Sequence, residues 1–345
     1  MEIKIVENQA ECQDFVEKLN LNTFLQSQNW AEFNKHTSKV WQLGIYEKNE
    51  LVSVCLTIKV TAKRGDFLLV PHGPQYLELD KENPVLLKKY LLVWRNYLKK
   101  LGQQEKCNFV RIQPIVEEDA ENRLVFSQLE FKIAPMHVHT ELTTVLDLTL
   151  NYEEILLKMR KTTRQSIKKG LKMVESGEVQ IASPSQISEE MHSLYAQTYT
   201  RGGAIGYSKD FLNSEWAAFK ENKKGKLVTI YSGDKLLSWG MFVICGKRAF
   251  YHQGGNLLYK NIPNSYLCQW QGINFAKDIG CISYDFWGVS PEDNRKHPWA
   301  KISLFKRGFG GDDVIHLHAQ DLVLNWRYYF NWIIEKYRAK KRGFN

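Results

Sequence analysis

The chain has 345 residues, 43% apolar and 12% aromatic, which excludes a disordered chain and is more than one core of ordinary size holds. A net charge of +9 favours a polyanionic partner, whether nucleic acid, a phosphorylated substrate or an anionic membrane face. No apolar run approaches the roughly 18–20 residues that span a bilayer, no apolar leader follows Met1, and the six cysteines are scattered without CxxC spacing, so a cytoplasmic protein of two domains is expected, without disulfides or zinc.

In chain order, Met1 leads into a strand-like segment, and 41–60 reads as two strands around a turn at Lys48-Asn49-Glu50. A strand at 67–70 ends at Pro71-His72-Gly73-Pro74. Asn83 caps a helix with Pro84 at its first position, running to Leu101 and stopped by Gly102. A strand at 108–112, a charged helix within 117–128 and a strand at 143–148 close the first half. The second half opens with one amphipathic helix, Tyr152 to about Val174, whose apolar positions include Ile155, Met159 and Ile167. Helices follow at 187–200 and 209–222, then strands at 226–231, 236–245 and 248–253, a helix at 263–279 and a strand at 282–286. A Trp/Tyr-rich helix from Asp321 to about Lys341 ends the chain.

The halves repeat one another. Tyr46, Asn49, Leu51 and Ser53 recur at the same offsets as Tyr231, Asp234, Leu236 and Ser238, and each hairpin is followed by a strand, a glycine-bearing turn, a helix and another strand. Duplication of one α/β unit with mixed sheets follows, and two such domains side by side leave a cleft for a ligand.

The segment Tyr284–Gly311 carries the densest chemistry. A short strand opens into a polar loop and closes on Phe305, Lys306, Gly308, Gly310 and Gly311. Crowded glycines permit close backbone approach, and a lysine among them suits a phosphate or a developing oxyanion. The alternative is a loop with a solvated lysine and a tight helix exit. The pairs His137/His139 and His316/His318 would each face one side of a strand, but no third ligand type stands nearby, so no metal is expected. Cys268 and Cys281 lack an evident base.

Several pieces, in order, carry a resemblance: FLQSQNWAEF (24–33), PHGP (71–74), TVLDL (144–148), MRKTTRQSIKK (159–169), YHQGGN (251–256), YDFWG (284–288) and FKRGFGG (305–311). Over nearly its full length the chain resembles the Fem-type (FemABX) peptidoglycan bridge aminoacyltransferases, in their compact FemX-like form. The resemblance implies two acetyltransferase-like (GNAT) domains: 1–149, completed by a C-terminal helix within 320–345, and 150–319. It implies transfer of an amino acid of the Gly, Ala or Ser class from aminoacyl-tRNA to an amine of a peptidoglycan precursor, either UDP-MurNAc-pentapeptide or lipid II, with no cofactor. The C-terminal helix would pack its apolar face, from Leu322 and Leu324 through Trp326, Tyr329, Phe330 and Ile333, back on the first domain.

Residue by residue, the resemblance puts Phe305 and Lys306 beside the acceptor end of the tRNA, Lys306 stabilising the oxyanion. Asp285 would orient the attacking amine or accept its proton; a buried, hydrogen-bonded strand aspartate is the other reading. Trp30, Lys35, Thr198 and Arg201 are candidates for the precursor's phosphates and peptide, with Tyr207, Tyr251 and Tyr266 around the peptide. Arg160, Lys161, Arg164 and Lys168, together with the basic run 338–342, are candidates for tRNA phosphates or anionic lipid. Two other functions share these features: a CoA-dependent N-acyltransferase and a non-catalytic nucleic-acid-binding protein. Against CoA, the nearest phosphate-turn pattern, Arg307 to Asp312, ends in a carboxylate.

Overall fold

The computed structural model describes residues 1–77, 83–203, 205–221, 223–259, 261–292, 294 and 297–342. It divides into two units, Met1–Glu141 with Ile315–Asn345, and Leu142–Val314. The first holds β1 (Glu2–Ile5), α1 (Gln9–Lys18), α2 (Gln28–Lys35), β2 (Val40–Glu47), β3 (Glu50–Val60), β4 (Phe67–Val70) and β5 (Gln75–Tyr76). It continues with α3 (Pro84–Gln104), β6 (Phe109–Ile112), α4 (Ala120–Gln128) and β7 (Lys132–Ile133). The second unit begins with β8 (Leu142–Asp147), α5 (Tyr152–Lys158), α6 (Lys161–Glu175), β9 (Gln180–Ala182), α7 (Glu189–Arg201) and α8 (Lys209–Phe219). Its remainder is β10 (Gly225–Ser232), β11 (Lys235–Cys245), β12 (Arg248–Asn256), α9 (Asn264–Asp278), β13 (Ser283–Gly288), α10 (Ala300–Arg307) and β14 (Asp312–Ile315). The chain then re-enters the first unit with β15 (Gln320–Val323) and α11 (Tyr328–Arg342).

Each unit is built on one mixed sheet. The orders are β1-β2-β3-β4-β6-β15-β7 and β14-β8-β13-β12-β11-β10-β9. In both, an antiparallel run (β2-β3-β4 and β10-β11-β12) is joined in parallel, across a helix, to β6 or β13. The repeat extends to irregularities: the register slips between Ile45 and Tyr46 in one hairpin and between Ile230 and Tyr231 in the other. A bulge at the same position in both hairpins is what the matching Tyr, Leu and Ser offsets encode.

Burial explains why the helices lie where they do. Leu87, Leu91, Trp94 and Leu98 recur at helical spacing along α3 and pack with Leu43, Leu68 and Val110. Leu267, Trp270 and Ile273 of α9 do the same with Ile230, Phe242 and Tyr284. Asn83 caps α3 by accepting from the Leu86 amide, as expected, but Gly102 does not stop the helix. Gly102 is buried, and a Cβ there would come within 2.5 Å of Leu324, so this glycine serves packing.

Other expectations are corrected. The strand expected to close the first half is β8, which pairs with β13 inside the second unit. The single helix 152–174 is two, broken at Met159, whose backbone is extended. The start of the C-terminal helix is instead strand β15, paired with β6. The face expected to be packed is largely outward: Trp326, Tyr329, Phe330 and Ile333 are exposed.

Candidate active site

The site of Lys306 is made by a defect in β13. Asp285 pairs with Val145 and Gly288 with Thr143, so β13 advances three residues where β8 advances two. The extra length is taken up at Trp287, which stands at φ +63°, a left-handed conformation bulky residues avoid at a cost of about 1–3 kcal/mol. Its N–H donates to Asp285 Oδ1 at 2.7 Å, holding the kink. One residue on, the Gly288 carbonyl accepts from Lys306 Nζ at 2.7 Å. Helix α10 is held in place by the buried Ser303, whose Oγ accepts from the Ser290 amide at 2.7 Å, and by Arg307, which donates to Ser290 O and Asp313 Oδ2, both at 2.6 Å.

Lys306 is 6% exposed, so the solvated-lysine reading fails. Burial pulls its pKa down to about 7, with Asp285 acting in the opposite direction, and the amine changes charge near neutrality. The Tyr251 ring lies 6.0 Å from Nζ. One N–H of the ammonium is donated to the Gly288 carbonyl.

Asp285 follows the structural reading. It is buried, its Oδ1 accepts from the Thr143 hydroxyl and the Trp287 amide, and Arg248 lies 3.5 Å from Oδ2. Desolvation raises its pKa and Arg248 opposes this. A carboxylate engaged in this way shapes the bulge.

Phe305 and Tyr266 meet edge to face at 5.0 Å and both contact Phe309. Tyr266 also borders a depression of about 380 Å³ with Leu258, Tyr259, Pro263 and Asn264, at the start of α9, where no side chain caps the helix. The glycines after Lys306 serve packing: a Cβ on Gly310 would meet the Lys158 carbonyl at 2.5 Å, and one on Gly311 the Val145 carbonyl at 2.8 Å. The stretch from Arg307 to Asp312 also leaves a helix for a strand, so it presents carbonyl ends, the wrong polarity for a pyrophosphate.

The remaining candidates divide by unit. Thr198 bonds the backbone of α7 to that of β12, donating to Leu194 O at 2.8 Å and accepting from Asn256 N at 2.9 Å. Arg201 donates to Asn256 O beside it. Tyr207 is about half exposed and stacks on Phe211 at 4.1 Å. In the first unit Trp30 is a core residue, packed on Phe24 and Phe33 at 5.6 and 5.1 Å, and Lys35 is a surface lysine paired with Glu32 at 2.6 Å. Among the cations, Lys161 and Lys168 are exposed. Arg160 donates to Leu304 O. Arg164 caps α5, donating to the Met159 and Leu157 carbonyls at 2.6 and 3.1 Å, a structural task that explains the helix break.

Two clusters escape the sequence pattern. Buried Glu215 on α8 accepts from His252 Nε2 at 2.8 Å and Gln253 Nε2 at 3.2 Å. His252 is the bulged residue of β12, where Met241 pairs with Gln253 but Phe242 with Tyr251, and it lies edge-on to Trp287 at 5.8 Å. Nothing in the alternation of β12 signals a bulge. The second cluster corrects the histidine reading. The pairs lie largely outside strands and split: His137 and His318 meet at Glu141, with Oε2 3.5 and 2.7 Å from their Nδ1 atoms. Glu141 is the third ligand type the spacing did not reveal, and the ligand atoms of the three lie within 4.8 Å of one another. His318 Nε2 also donates to Ala134 O at 2.9 Å; burial lowers the His318 pKa, but its contacts with Glu141 and Ala134 outweigh this and leave it raised.

The chain is similar in sequence and in fold to known proteins. Residues 8–128 match the FemAB family and residues 158–296 match the acetyltransferase (GNAT) domain. Aminoacyltransferase FemA of Staphylococcus epidermidis is 30% identical over 96 residues, covering 28% of this chain and 23% of FemA. The chain therefore spans under a quarter of the length of that relative. A crystal structure of FemX superposes with a TM-score of 0.79 at 16% identity, covering 97% of this chain and 100% of FemX. A tandem GNAT protein from the clavulanic acid biosynthesis pathway gives 0.53 at 8% identity, covering 84% of each chain. The fold is thus a duplicated GNAT-like α/β fold. FemAB-family sequence lies in the first unit and a GNAT domain in the second, on a fold similar to that of FemX over nearly the whole length.

Proposed function

We propose that the protein is an aminoacyltransferase that moves an amino acid of the Gly, Ala or Ser class from aminoacyl-tRNA to an amine of a peptidoglycan precursor stem peptide, on the cytoplasmic side. The observation that carries the reading is Lys306: a lysine buried against a bulged strand, its ammonium on the Gly288 carbonyl and 6.0 Å from the Tyr251 ring. The acceptor amine attacks the ester carbonyl, a C–N bond forms, and the carbonyl oxygen becomes an oxyanion that the Lys306 ammonium stabilises. The C–O bond to the ribose then breaks, and the ribose oxygen leaves as a hydroxyl, taking up the proton that the attacking amine gives up and His252 relays. The amine's proton passes to His252, oriented by Glu215. Asp285 holds the bulge that presents Gly288 to Lys306. Much of the acceleration comes from holding amine and ester together, and no cofactor is needed.

The uncapped start of α9 above the depression suits the phosphate of the terminal nucleotide of tRNA, and Lys161 and Lys168 suit the backbone further along. The acceptor is UDP-MurNAc-pentapeptide or lipid II, and Arg201 and Tyr207 are the exposed groups suited to its peptide.

The test is single-turnover transfer from radiolabelled glycyl-, alanyl- and seryl-tRNA to each acceptor. Wild type should transfer from at least one donor, and Lys306→Ala should lower that rate by about 10²–10³-fold. His252→Gln should lower it by roughly 10²-fold or more without weakening substrate binding. Absence of transfer from every donor to both acceptors, or acetylation of the precursor with acetyl-CoA, overturns the reading.

A further inference from the structure

Helix α11 turns its apolar side outward. Tyr329, Phe330, Ile333 and Tyr337 are 47%, 59%, 60% and 67% exposed, Trp326 just ahead is 66% exposed, and the 329, 330, 333, 337 spacing puts the four on one face. The opposite face holds the helix down. Tyr328, Asn331 and Ala339 are buried, Glu335 accepts from Arg111 at 2.9 Å, and the Tyr328 hydroxyl donates to Asp321 at 3.1 Å. The outward charges are of one sign. Arg327, Lys336, Arg338, Lys340 and Lys341 are exposed, while the only acid between Trp326 and Lys341, Glu335, is turned inward.

We propose that α11 docks the protein on an anionic lipid surface. The stripe of Trp326, Phe330, Ile333 and Tyr337 enters the headgroup boundary and the flanking cations meet lipid phosphates. Tryptophan and tyrosine suit a boundary that is apolar on one side and wet on the other, and lysine stems lie along the apolar edge while their ammonium groups stay in water. Lys336 already lies 4.5 Å from the Trp332 ring. A second copy of the chain is disfavoured as the occupant, because pairing this face with itself sets like charges against one another. The proposal rests on the helix alone and not on the transferase reading.

The test is co-sedimentation of the full chain with vesicles of phosphatidylcholine alone and of phosphatidylcholine mixed with phosphatidylglycerol, at low and high salt. Two double variants, Phe330→Ser with Ile333→Ser and Lys340→Glu with Lys341→Glu, change only exposed side chains; unchanged melting temperatures confirm that they fold. The protein should sediment with the phosphatidylglycerol vesicles, less so at high salt, and each variant should weaken binding roughly tenfold or more. Binding to neither vesicle overturns the proposal, as does binding that survives both variants. So does a vesicle-free dimer in the ultracentrifuge that the Ser variant dissolves, which would assign the face to a second copy.

Discussion

The Lys306 ammonium gives up most of its hydration, keeps the Gly288 carbonyl as partner, and has its pKa lowered to about 7 as a result. The folded-state value lies below the unfolded one, so between about 7 and the ordinary lysine range the unfolded chain binds more protons and stability rises with pH. Lys306→Met should therefore melt higher relative to wild type at or below pH 7, with the advantage shrinking as the pH rises. Melting temperatures across that range check it; a pH-independent difference would mean a hydrated lysine. Lys306 stood out in the sequence as a lysine among glycines, but its burial did not. Burial depends on the left-handed turn at Trp287, a long-range consequence of pairing β13 with β8 that no local pattern in YDFWG displays. The same holds for His252, invisible until a bulge sets it on Glu215.

Among elements, β15 and α11 are joined to the first sheet by a buried ionic cluster. Arg111 Nε and Nη2 donate to Asp321 Oδ1 and Oδ2 at 2.7 and 2.8 Å, and Nη2 also donates to Glu335. Arg111→Met leaves two carboxylates without their cation and should cost about 3–5 kcal/mol in chemical denaturation. A loss under about 1 kcal/mol would place the cluster in solvent. Elements held by local signals were legible: Asn83-Pro84 opened α3, and the paired hairpins announced the duplication. Elements defined by distant partners were not. Gln320–Val323 merged with the Trp/Tyr-rich helix because its strand character comes from pairing with β6. The break at Met159 was hidden because apolar spacing continues across it, while the stop is made by Arg164 bonding back to the α5 carbonyls. The outward face of α11 was misread as a packing face because periodicity marks a stripe without saying which way it points.

For the whole molecule, a duplicated fold supplies two mixed sheets that share an antiparallel run joined in parallel to β6 or β13, and the buried lysine lies in the second unit. The excess of positive charge lies in part on exposed residues of α6 and α11, which the two proposals assign to tRNA phosphates and to lipid. The central claim, that catalysis runs through the charged form of a buried lysine, is tested most directly by the pH dependence of kcat/KM for transfer, measured for wild type and Lys306→Arg. The account predicts that the wild-type rate, relative to that of the variant, falls as the pH rises through about 7, because the deprotonation of the acceptor amine is common to both while only the variant's guanidinium stays charged. A ratio of wild-type to variant rate that is flat or rises through this range would contradict it, since Lys306 would then be acting uncharged or not at all.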